Sequence, residues 1–273
     1  MNPELEDIEV DLLLEGVFRY YGFDFRDYAK ASIKRRIWNA VRTEKLTSIS
    51  ALQEKVLHDP ACLQRFLLGL SVNVTEMFRD PNFYLTFRTK AIPLLRTYPF
   101  IRLWHAGCSS GQEVYSMAIL MQEEGLYHRC RFYATDINEK VLEDAKAGIY
   151  PLKLMQEYTS NYMKAGGGKS FSEYYTAAYD RAIFRSSLKE NILFSHHNLT
   201  TDASFNEFNV ILCRNVLIYF NQALQQRVHT LLYESLCMFG FLGMGHQESV
   251  KLTAYNKHYQ QLEKGEKLYR KIR

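Results

Sequence analysis

Residues 101–136, IRLWHAGCSSGQEVYSMAILMQEEGLYHRCRFYATD, contain the pattern that decides the fold. An apolar run at each end predicts a buried strand, and the run between them, which follows a glycine-containing loop, has the spacing of a helix. NEKVLEDAKAG follows directly and predicts a second helix. This strand–helix–strand–helix order is typical of an α/β domain with a mostly parallel sheet and helices on its faces.

The same alternation resumes near Asn191, after an irregular stretch. Residues 152–190 contain three consecutive glycines and a Tyr-rich segment, SEYYTAAYDRAIF, and they break the alternation. We therefore predict a small inserted subdomain there, with a hairpin. The later elements are predicted as strands at NILFSHHNL, FNVILCRNVLIYF, GFLGMGH and KLYRKI, and as a helix at NQALQQRVHTLLYESL.

The front of the chain is helical by the same criteria. From Leu5 to about Leu70 apolar residues recur every three or four positions, and no strand pattern appears before Ile101. Ser50 followed by Gln53 resembles a capping box, while Asp-Pro pairs at 59–60 and 80–81 are typical of helix starts. We predict a helical domain at 1–72, a linker and connecting helix at 73–100, and the α/β domain at 101–273.

Composition excludes several classes of protein. The 273 residues are 47% hydrophobic and 23% charged, as in ordinary globular proteins and unlike disordered or disulfide-stabilised chains. The five cysteines include no CxxC pair, so free thiols in a reducing compartment are expected. No apolar run is long enough to span a membrane, and the acidic N-terminus is unlike a signal peptide. We therefore expect a cytoplasmic protein without membrane insertion.

The loop after the first predicted strand has the position of a nucleotide site. Residues 105–111, HAGCSSG, lie between a strand and a helix, where glycines permit close approach of a ligand, although a tight turn alone explains them as well. Asp136 ends the next strand, where a carboxylate can accept both ribose hydroxyls. Glu113 is either a ligand contact or a charge matched to the helix dipole. Because no pyrophosphate-binding motif is present, S-adenosylmethionine fits better than NAD.

Five short segments of the chain form a recognisable series: NVTEMFR (73–79), GCSSGQEVYS (107–116), ATDI (134–137), HNL (197–199) and CRNVLIYF (213–220). They resemble, in the same order, the motifs of the CheR family, which comprises methyltransferases that use S-adenosylmethionine to esterify glutamates of bacterial chemoreceptors. The resemblance extends from the helical front to about Glu248, although residues 236–241 lack the usual Pro-Gly turn and GHQES stands where GHSE is usual.

The resemblance implies a Rossmann-like methyltransferase sheet preceded by an all-α domain. It also implies that S-adenosylmethionine is bound without a metal and released as S-adenosylhomocysteine. Arg79 and Tyr219 match the residues proposed to lie beside the transferred methyl and the incoming carboxylate. The implied cofactor contacts are Asn73, Thr75, Arg79, Gly107, Glu113, Asp136, Asn198, Leu199, Arg214 and Asn215.

The chemistry of the implied reaction agrees with these residues. A glutamate side chain with a pKa of about 4.3 is already anionic at neutral pH, so it can attack the methyl without a general base. Arg79 and Tyr219 can orient it by hydrogen bonds. By spacing alone, Arg79 could equally be a solvated residue at a helix boundary and Tyr219 a packed aromatic residue. The His196–His197 pair has no third ligand at metal-site spacing.

A basic helix around 28–42 offers a partner surface. Residues 26–45 contain seven basic side chains and two acidic ones. This surface suits the acidic cytoplasmic helices of a chemoreceptor, with Lys30, Lys34 and Arg35 as the contact residues. Nucleic acid is not expected, since Trp38 is the one aromatic residue among the basic residues at 30–45 that could stack on bases. Two alternatives remain: a methyltransferase acting on RNA or a small molecule, and a non-catalytic adaptor that binds S-adenosylmethionine.

Overall fold

A computed structural model describes residues 3–70 and 75–273. The chain forms two compact units. The first consists of Met1–Asn73 with Tyr219–Arg227, and the second of Val74–Ile218 with Val228–Arg273. Residues 219–227 thus belong to the first unit although they are flanked in sequence by the second unit. No pattern in the sequence predicted this.

The first unit is a group of helices around an apolar core. Leu13, Val17, Ile37 and Val56 are fully buried, and each lies on the apolar stripe of its helix. The helices are α1 (Pro3–Tyr21), α2 (Lys30–Thr43), α3 (Ile49–His58) and α4 (Pro60–Leu70).

The starts of α3 and α4 test the predicted caps. Asp59 Oδ1 accepts a hydrogen bond from the Ala61 amide at 2.9 Å, as the Asp-Pro signature predicts. The predicted capping box at Ser50 is wrong. Helix α3 begins at Ile49, and its N-cap is Ser48, whose Oγ accepts a hydrogen bond from the Ala51 amide. Ser50 instead donates its amide and hydroxyl to Glu9 on α1. Ser50 therefore makes a tertiary contact with Glu9, although the local sequence pattern predicted that its side chain would cap α3.

The second unit begins with helical residues that precede the sheet. The connecting helix predicted within 73–100 consists of α5 (Pro81–Thr86), a π-helical turn (Phe87–Ala91) and α6 (Ile92–Leu95). The remaining elements are β1 (Ile101–Ala106), α7 (Gln112–Glu123), β2 (Cys130–Asp136), α8 (Glu139–Ala147), β3 (Ile149–Pro151), α9 (Met155–Lys164), β4 (Tyr175–Ala178), β5 (Arg181–Phe184), β6 (Ile192–His196), β7 (Phe208–Cys213), α10 (Gln222–Ser235), β8 (Leu236–Met244), β9 (Tyr259–Gln261) and β10 (Leu268–Lys271).

The main sheet has seven strands in the order β6-β2-β1-β7-β8-β10-β9. The first five of these are parallel, and β10 and β9 are antiparallel to their neighbours. The predicted α/β fold class is confirmed. Strand β7 joins β1 on the side opposite β2, so the direction of winding reverses between β1 and β7. In open α/β sheets, ligands bind at the carboxyl ends of strands beside such a reversal.

The insertion forms its own three-stranded antiparallel sheet, in the order β3-β5-β4, together with α9. The predicted hairpin corresponds to β4 and β5. The insertion starts earlier than residue 152, since Gly148 ends α8 in a left-handed conformation, φ 60°, and residue 149 already belongs to β3.

Glu123, the last residue of α7, fastens the insertion to the main domain. Its Oε1 accepts hydrogen bonds from the hydroxyls of Tyr162 and Tyr174 and from the Gly168 amide, and its Oε2 pairs with Arg88. Burial raises the pKa of Glu123, but the hydrogen bonds from Tyr162 and Arg88 lower it more, so its pKa lies below the ordinary value. The Glu123 carboxylate is therefore ionised, and both of its oxygens have hydrogen-bond or ion-pair partners.

Replacing Glu123 should destabilise the protein. In Glu123→Ala the two tyrosine hydroxyls and Arg88 lose a buried partner, and we expect the free energy of unfolding to fall by about 2–4 kcal/mol in urea titrations. The difference in unfolding free energy between wild type and Glu123→Ala should be largest above the ordinary carboxyl pKa of 4.5. It should shrink as the pH falls below 4.5, because the pKa of Glu123 is depressed in the folded state.

The matched control is Glu143→Ala on α8, where the glutamate forms an exposed pair with Lys140. Its loss should cost about 0.5 kcal/mol or less. Equal effects of the two substitutions would show that Glu123 does not anchor the insertion.

Candidate functional site

The loop between β1 and α7 is held against the end of β2. The amides of Gly107 and Cys108 both donate to the Thr135 carbonyl oxygen at 2.9 Å. The Ser109 amide donates to Asp136 Oδ2 at 2.8 Å, and the Asn138 amide donates to Oδ1 at 3.0 Å. Burial raises the pKa of Asp136, while these backbone hydrogen bonds oppose the rise. Asp136, which also accepts from the Ile137 amide, thus shapes the loop, and its carboxylate is not saturated by these bonds and can still accept from a ligand.

Gly107 is required by its conformation and by its neighbour. Its φ is 79°, and a Cβ at this position would lie 2.6 Å from Val216 Cγ2 in the loop after β7. The loops that follow β1 and β7 therefore touch at Gly107. A larger residue would separate them.

Glu113, in the first turn of α7, has both carboxylate oxygens occupied. Oε1 lies 3.0 Å from His105 Nδ1, and Oε2 lies 3.1 Å from Arg214 Nη1. Burial raises the pKa of Glu113, but the His105 hydrogen bond and the Arg214 charge outweigh burial and hold the pKa below its ordinary value. Glu113 is consequently an ionised carboxylate in a largely buried position. It interacts with His105 and Arg214 and does not serve only as a charge near the N-terminus of α7.

Arg214, just after β7, connects Glu113 to the segment before α5. Its Nη2 donates to the Arg79 carbonyl oxygen at 3.0 Å and to Asp80 Oδ2 at 2.9 Å. Its guanidinium lies over the Phe83 ring, 4.2 Å from the ring centroid. Asp80 does not cap α5 with its side chain, contrary to the Asp-Pro expectation, because its carboxylate pairs with Arg214.

The segment around Arg79 has an unusual backbone. Phe78 and Asp80 both have positive φ, 51° and 55°, which for residues other than glycine costs about 1–3 kcal/mol each. The Phe78 amide donates to Ser116 Oγ at 2.9 Å, and Asn161 Nδ2 donates to the Met77 carbonyl oxygen at 3.2 Å. These bonds hold the backbone of Arg79 in place from α7 and α9.

Glu248 is a site residue that the sequence analysis missed. Its Oε2 accepts from the amides of Gly245 at 2.6 Å and Asn215 at 2.9 Å. Its Oε1 accepts from the amides of Val216 at 2.8 Å and Leu217 at 2.7 Å. Burial raises the pKa of Glu248 despite these four bonds. One carboxylate thus holds the loop that carries Arg214 and Asn215.

Asn198 and Leu199 follow β6 and are buried. The preceding amide, that of His197, donates to the Asp136 carbonyl oxygen at 3.2 Å, so this loop lies next to the end of β2. Asn198 Oδ1 accepts from the amide and hydroxyl of Thr200.

The structure thus places most of the predicted cofactor contacts at the carboxyl ends of β6, β2, β1 and β7. Thr75 is partly buried in the second unit, and Asn73 lies outside the described residues. Gathered at this edge of the sheet are Gly107, Glu113, Asp136, Asn198, Leu199, Arg214 and Asn215, with the backbone of Arg79.

Tyr219 belongs to the first unit. Its carbonyl oxygen accepts from the Ala29 amide at 2.9 Å, and the buried Arg36 guanidinium lies 4.6 Å from the centroid of its ring. Although Arg36 belongs to the basic stretch at 26–45, it is buried, and Tyr219 packs against it.

The predicted receptor-facing residues differ in their surroundings. Lys30 and Arg35 are exposed on α2. Lys34 is paired with two acidic residues of α1, at 2.6 Å from Asp7 and 3.5 Å from Glu6. Much of the charge of Lys34 is therefore neutralised within the unit.

No helix among the described residues has the length and apolar character needed to cross a membrane. Within residues 3–70 and 75–273, no three His, Cys, Asp or Glu side chains are grouped so that they could hold a metal ion.

Comparisons with known proteins agree with this geometry. The model of the CheR methyltransferase SAM-binding domain matches residues 73–267, and the model of the CheR all-alpha domain matches residues 8–71. The putative methyltransferase Cher3 of Pseudomonas putida is 52% identical over 97% of both chains. The chemotaxis protein methyltransferase of Listeria monocytogenes is 28% identical over 90% of this chain and 92% of the relative.

A third relative, chemotaxis protein methyltransferase 2 of Pseudomonas aeruginosa, is 27% identical over 86% of this chain and 84% of its own length. Both family models together cover nearly the whole chain, in the order of the two domain types. This chain belongs to the CheR methyltransferase family.

Proposed function

We propose that this protein transfers a methyl group from S-adenosylmethionine to glutamate side chains of a bacterial chemoreceptor, forming glutamate methyl esters. The observation that supports it most is the chain of charges Asp80–Arg214–Glu113, centred on the buried Arg214, at the same sheet edge as Asp136. Relatives named chemotaxis protein methyltransferases support the choice of acceptor. The reaction would take place in the cytoplasm.

The side chains at the sheet edge fit this cofactor. Glu113 and Arg214 carry the opposite charges needed for an α-ammonium and an α-carboxylate, and Asp136 can accept hydrogen bonds from two ribose hydroxyls. We assign further contacts to Asn73, Thr75, Gly107, Asn198, Leu199 and Asn215. When bound, S-adenosylmethionine supplies an electrophilic methyl group on a positively charged sulfur. The proposal includes no metal.

For the acceptor, the residues of the chain need to orient and desolvate a carboxylate. No general base is needed, since a glutamate side chain is ionised near neutral pH. We propose that the Arg79 guanidinium holds this carboxylate by charge-assisted hydrogen bonds, and that the Tyr219 hydroxyl donates another. Because Arg214 and Ser116 fix the backbone on either side of Arg79, orienting the acceptor requires less ordering at the moment of reaction.

We further propose that α2 binds the acidic helices of the receptor through Lys30 and Arg35, with a smaller contribution from Lys34. Lys30 and Arg35 are the exposed cations of the three, whereas the Lys34 ammonium already has two carboxylate partners. Exposed charges of this kind contribute more to the rate of association than to affinity.

The acceptor is tested with purified chemoreceptor cytoplasmic fragments and S-adenosylmethionine labelled in its methyl group. We expect label to enter the receptor and to leave as volatile methanol after mild base, since carboxyl esters are base-labile. Arg79→Ala should lower kcat/KM by about 100-fold or more, because it removes a charged hydrogen-bond donor at the acceptor. Arg96→Ala, which removes an exposed arginine paired with Glu124, is the control and should be unaffected. Cofactor binding without label in any receptor would refute the acceptor assignment.

The ribose assignment is tested by Asp136→Ala. Losing the hydrogen bonds of a charged acceptor should weaken S-adenosylmethionine binding by about 10- to 100-fold in isothermal titration calorimetry. Asp144→Ala, an exposed aspartate on α8, should bind like the wild type. Wild-type affinity in the Asp136 variant would contradict the assignment.

The role of Glu248 is tested by Glu248→Gln. A glutamine side chain keeps the size but presents an NH2 group to backbone amides that are themselves donors, so two of them lose their acceptor. We expect S-adenosylmethionine to bind about 5- to 30-fold more weakly, as the loop with Arg214 and Asn215 loosens. Glu263→Gln, at an exposed glutamate, is the control. An unchanged dissociation constant would show that the loop keeps its shape without this carboxylate.

A further inference from the structure

We propose that His105 is a positioning residue of the cofactor site, which fixes the orientation of the Glu113 carboxylate so that it remains available to a ligand ammonium group. This inference rests on the proposed role of Glu113 in binding S-adenosylmethionine. The CheR-like segment of this loop begins at residue 107 and does not include His105.

His105 lies in the middle of the sheet, where a polar side chain needs a specific reason. It belongs to β1, pairs with Ala134 on β2 and Leu212 on β7, and is fully buried. Its ring lies nearly parallel to Phe132, with 6.2 Å between centroids. A buried polar group without a hydrogen bond destabilises a protein, so the bond to Glu113 must offset the burial of the imidazole.

The geometry also places a proton on the ring. Glu113 is ionised and therefore only accepts hydrogen bonds, so His105 Nδ1, 3.0 Å from Glu113 Oε1, carries a proton. His105 Nε2 has no hydrogen-bond partner among the described parts of the chain. The polar contact of the ring there is thus the one with Glu113, as expected for a side chain that serves to hold this carboxylate.

The second partner of Glu113 is of a different kind. Arg214 divides its donors among Glu113, the Arg79 carbonyl oxygen and Asp80. A zwitterionic ligand competes for both members of the Glu113–Arg214 pair, whereas the fully buried imidazole of His105 is held by strand packing and out of reach of such a ligand. The His105 bond is therefore the fixed one of the two.

Removing the imidazole should change the balance between these partners. Without a donor at Oε1, the carboxylate can regain a protein partner for both oxygens by turning towards the guanidinium, which pairs well with carboxylates in a two-bond geometry. A tighter internal pair withdraws Glu113 from the ligand. Cofactor affinity should then fall by more than any loss of stability explains.

Three substitutions separate this role from simple packing. Asparagine places its NH2 near the position of Nδ1, glutamine places it nearer that of Nε2, and leucine supplies no donor. We expect S-adenosylmethionine to bind about 10- to 30-fold more weakly to His105→Leu and His105→Gln, and within about threefold of wild type to His105→Asn. Dissociation constants from calorimetry are measured alongside thermal unfolding. His229→Leu, at another buried histidine of the second unit, is the control and should bind like wild type.

The result that would overturn the inference is wild-type affinity in His105→Leu, or equal weakening in the asparagine and glutamine variants when both are folded. If His105→Leu does not fold, the comparison of His105→Asn with His105→Gln still tests the inference. In a Glu113→Gln background, His105→Leu should add less than twofold, and a full additional effect would also refute the inference. These assays need no receptor, so failure of receptor methylation in the wild type overturns the acceptor and leaves the His105 result standing. Wild-type affinity in Glu113→Gln alone would overturn the role of Glu113 and this inference together.

Discussion

The buried ion pair between Glu113 and Arg214 is the interaction on which the arrangement of the site depends. Two charges removed from water destabilise a protein unless each is paired and hydrogen-bonded, so the segments that carry them have few acceptable arrangements. Arg214 also binds Asp80 and the backbone of Arg79, and Glu113 also binds His105. The helix after β1, the end of β7 and the segment before α5 are therefore fixed together.

Much of the second unit could be predicted from the sequence because its signals are local. Apolar runs and helical spacing identified β1, α7, β2 and α8, and their order predicts parallel pairing by itself. The errors occurred where tertiary contacts outweigh local preference. Ser50 bonds to Glu9 instead of capping α3, and β8 starts at Leu236, directly after α10, although the apolar pattern predicted a strand from Gly240.

In the candidate site, too, the residues that the sequence predicts are those in local motifs, and those that it does not predict depend on tertiary contacts. The predicted contact residues could be named because they belong to short motifs, each within a few positions of the chain. His105 and Glu248 could not be found in that way, since their roles rest on partners brought together by folding. His105 meets Glu113 across a strand-to-helix turn, and Glu248 binds amides that lie more than 25 positions earlier in the sequence. A buried histidine in a strand has no sequence signal that separates it from an ordinary core residue.

Three buried or partly buried carboxylates surround the site, and their partners suit them to different tasks. Glu248 and Asp136 accept hydrogen bonds from backbone amides, which cannot leave without breaking the loops they belong to. Glu113 is bound by two side chains, one of which is a cation shared with other groups. A carboxylate that binds a ligand cation needs an exchangeable partner, because a ligand cation can replace a guanidinium bond but not a backbone amide. Glu248 and Asp136 therefore shape the loops, while Asp136 can still accept hydrogen bonds from hydroxyl groups, and Glu113 is the carboxylate proposed to receive a ligand ammonium group.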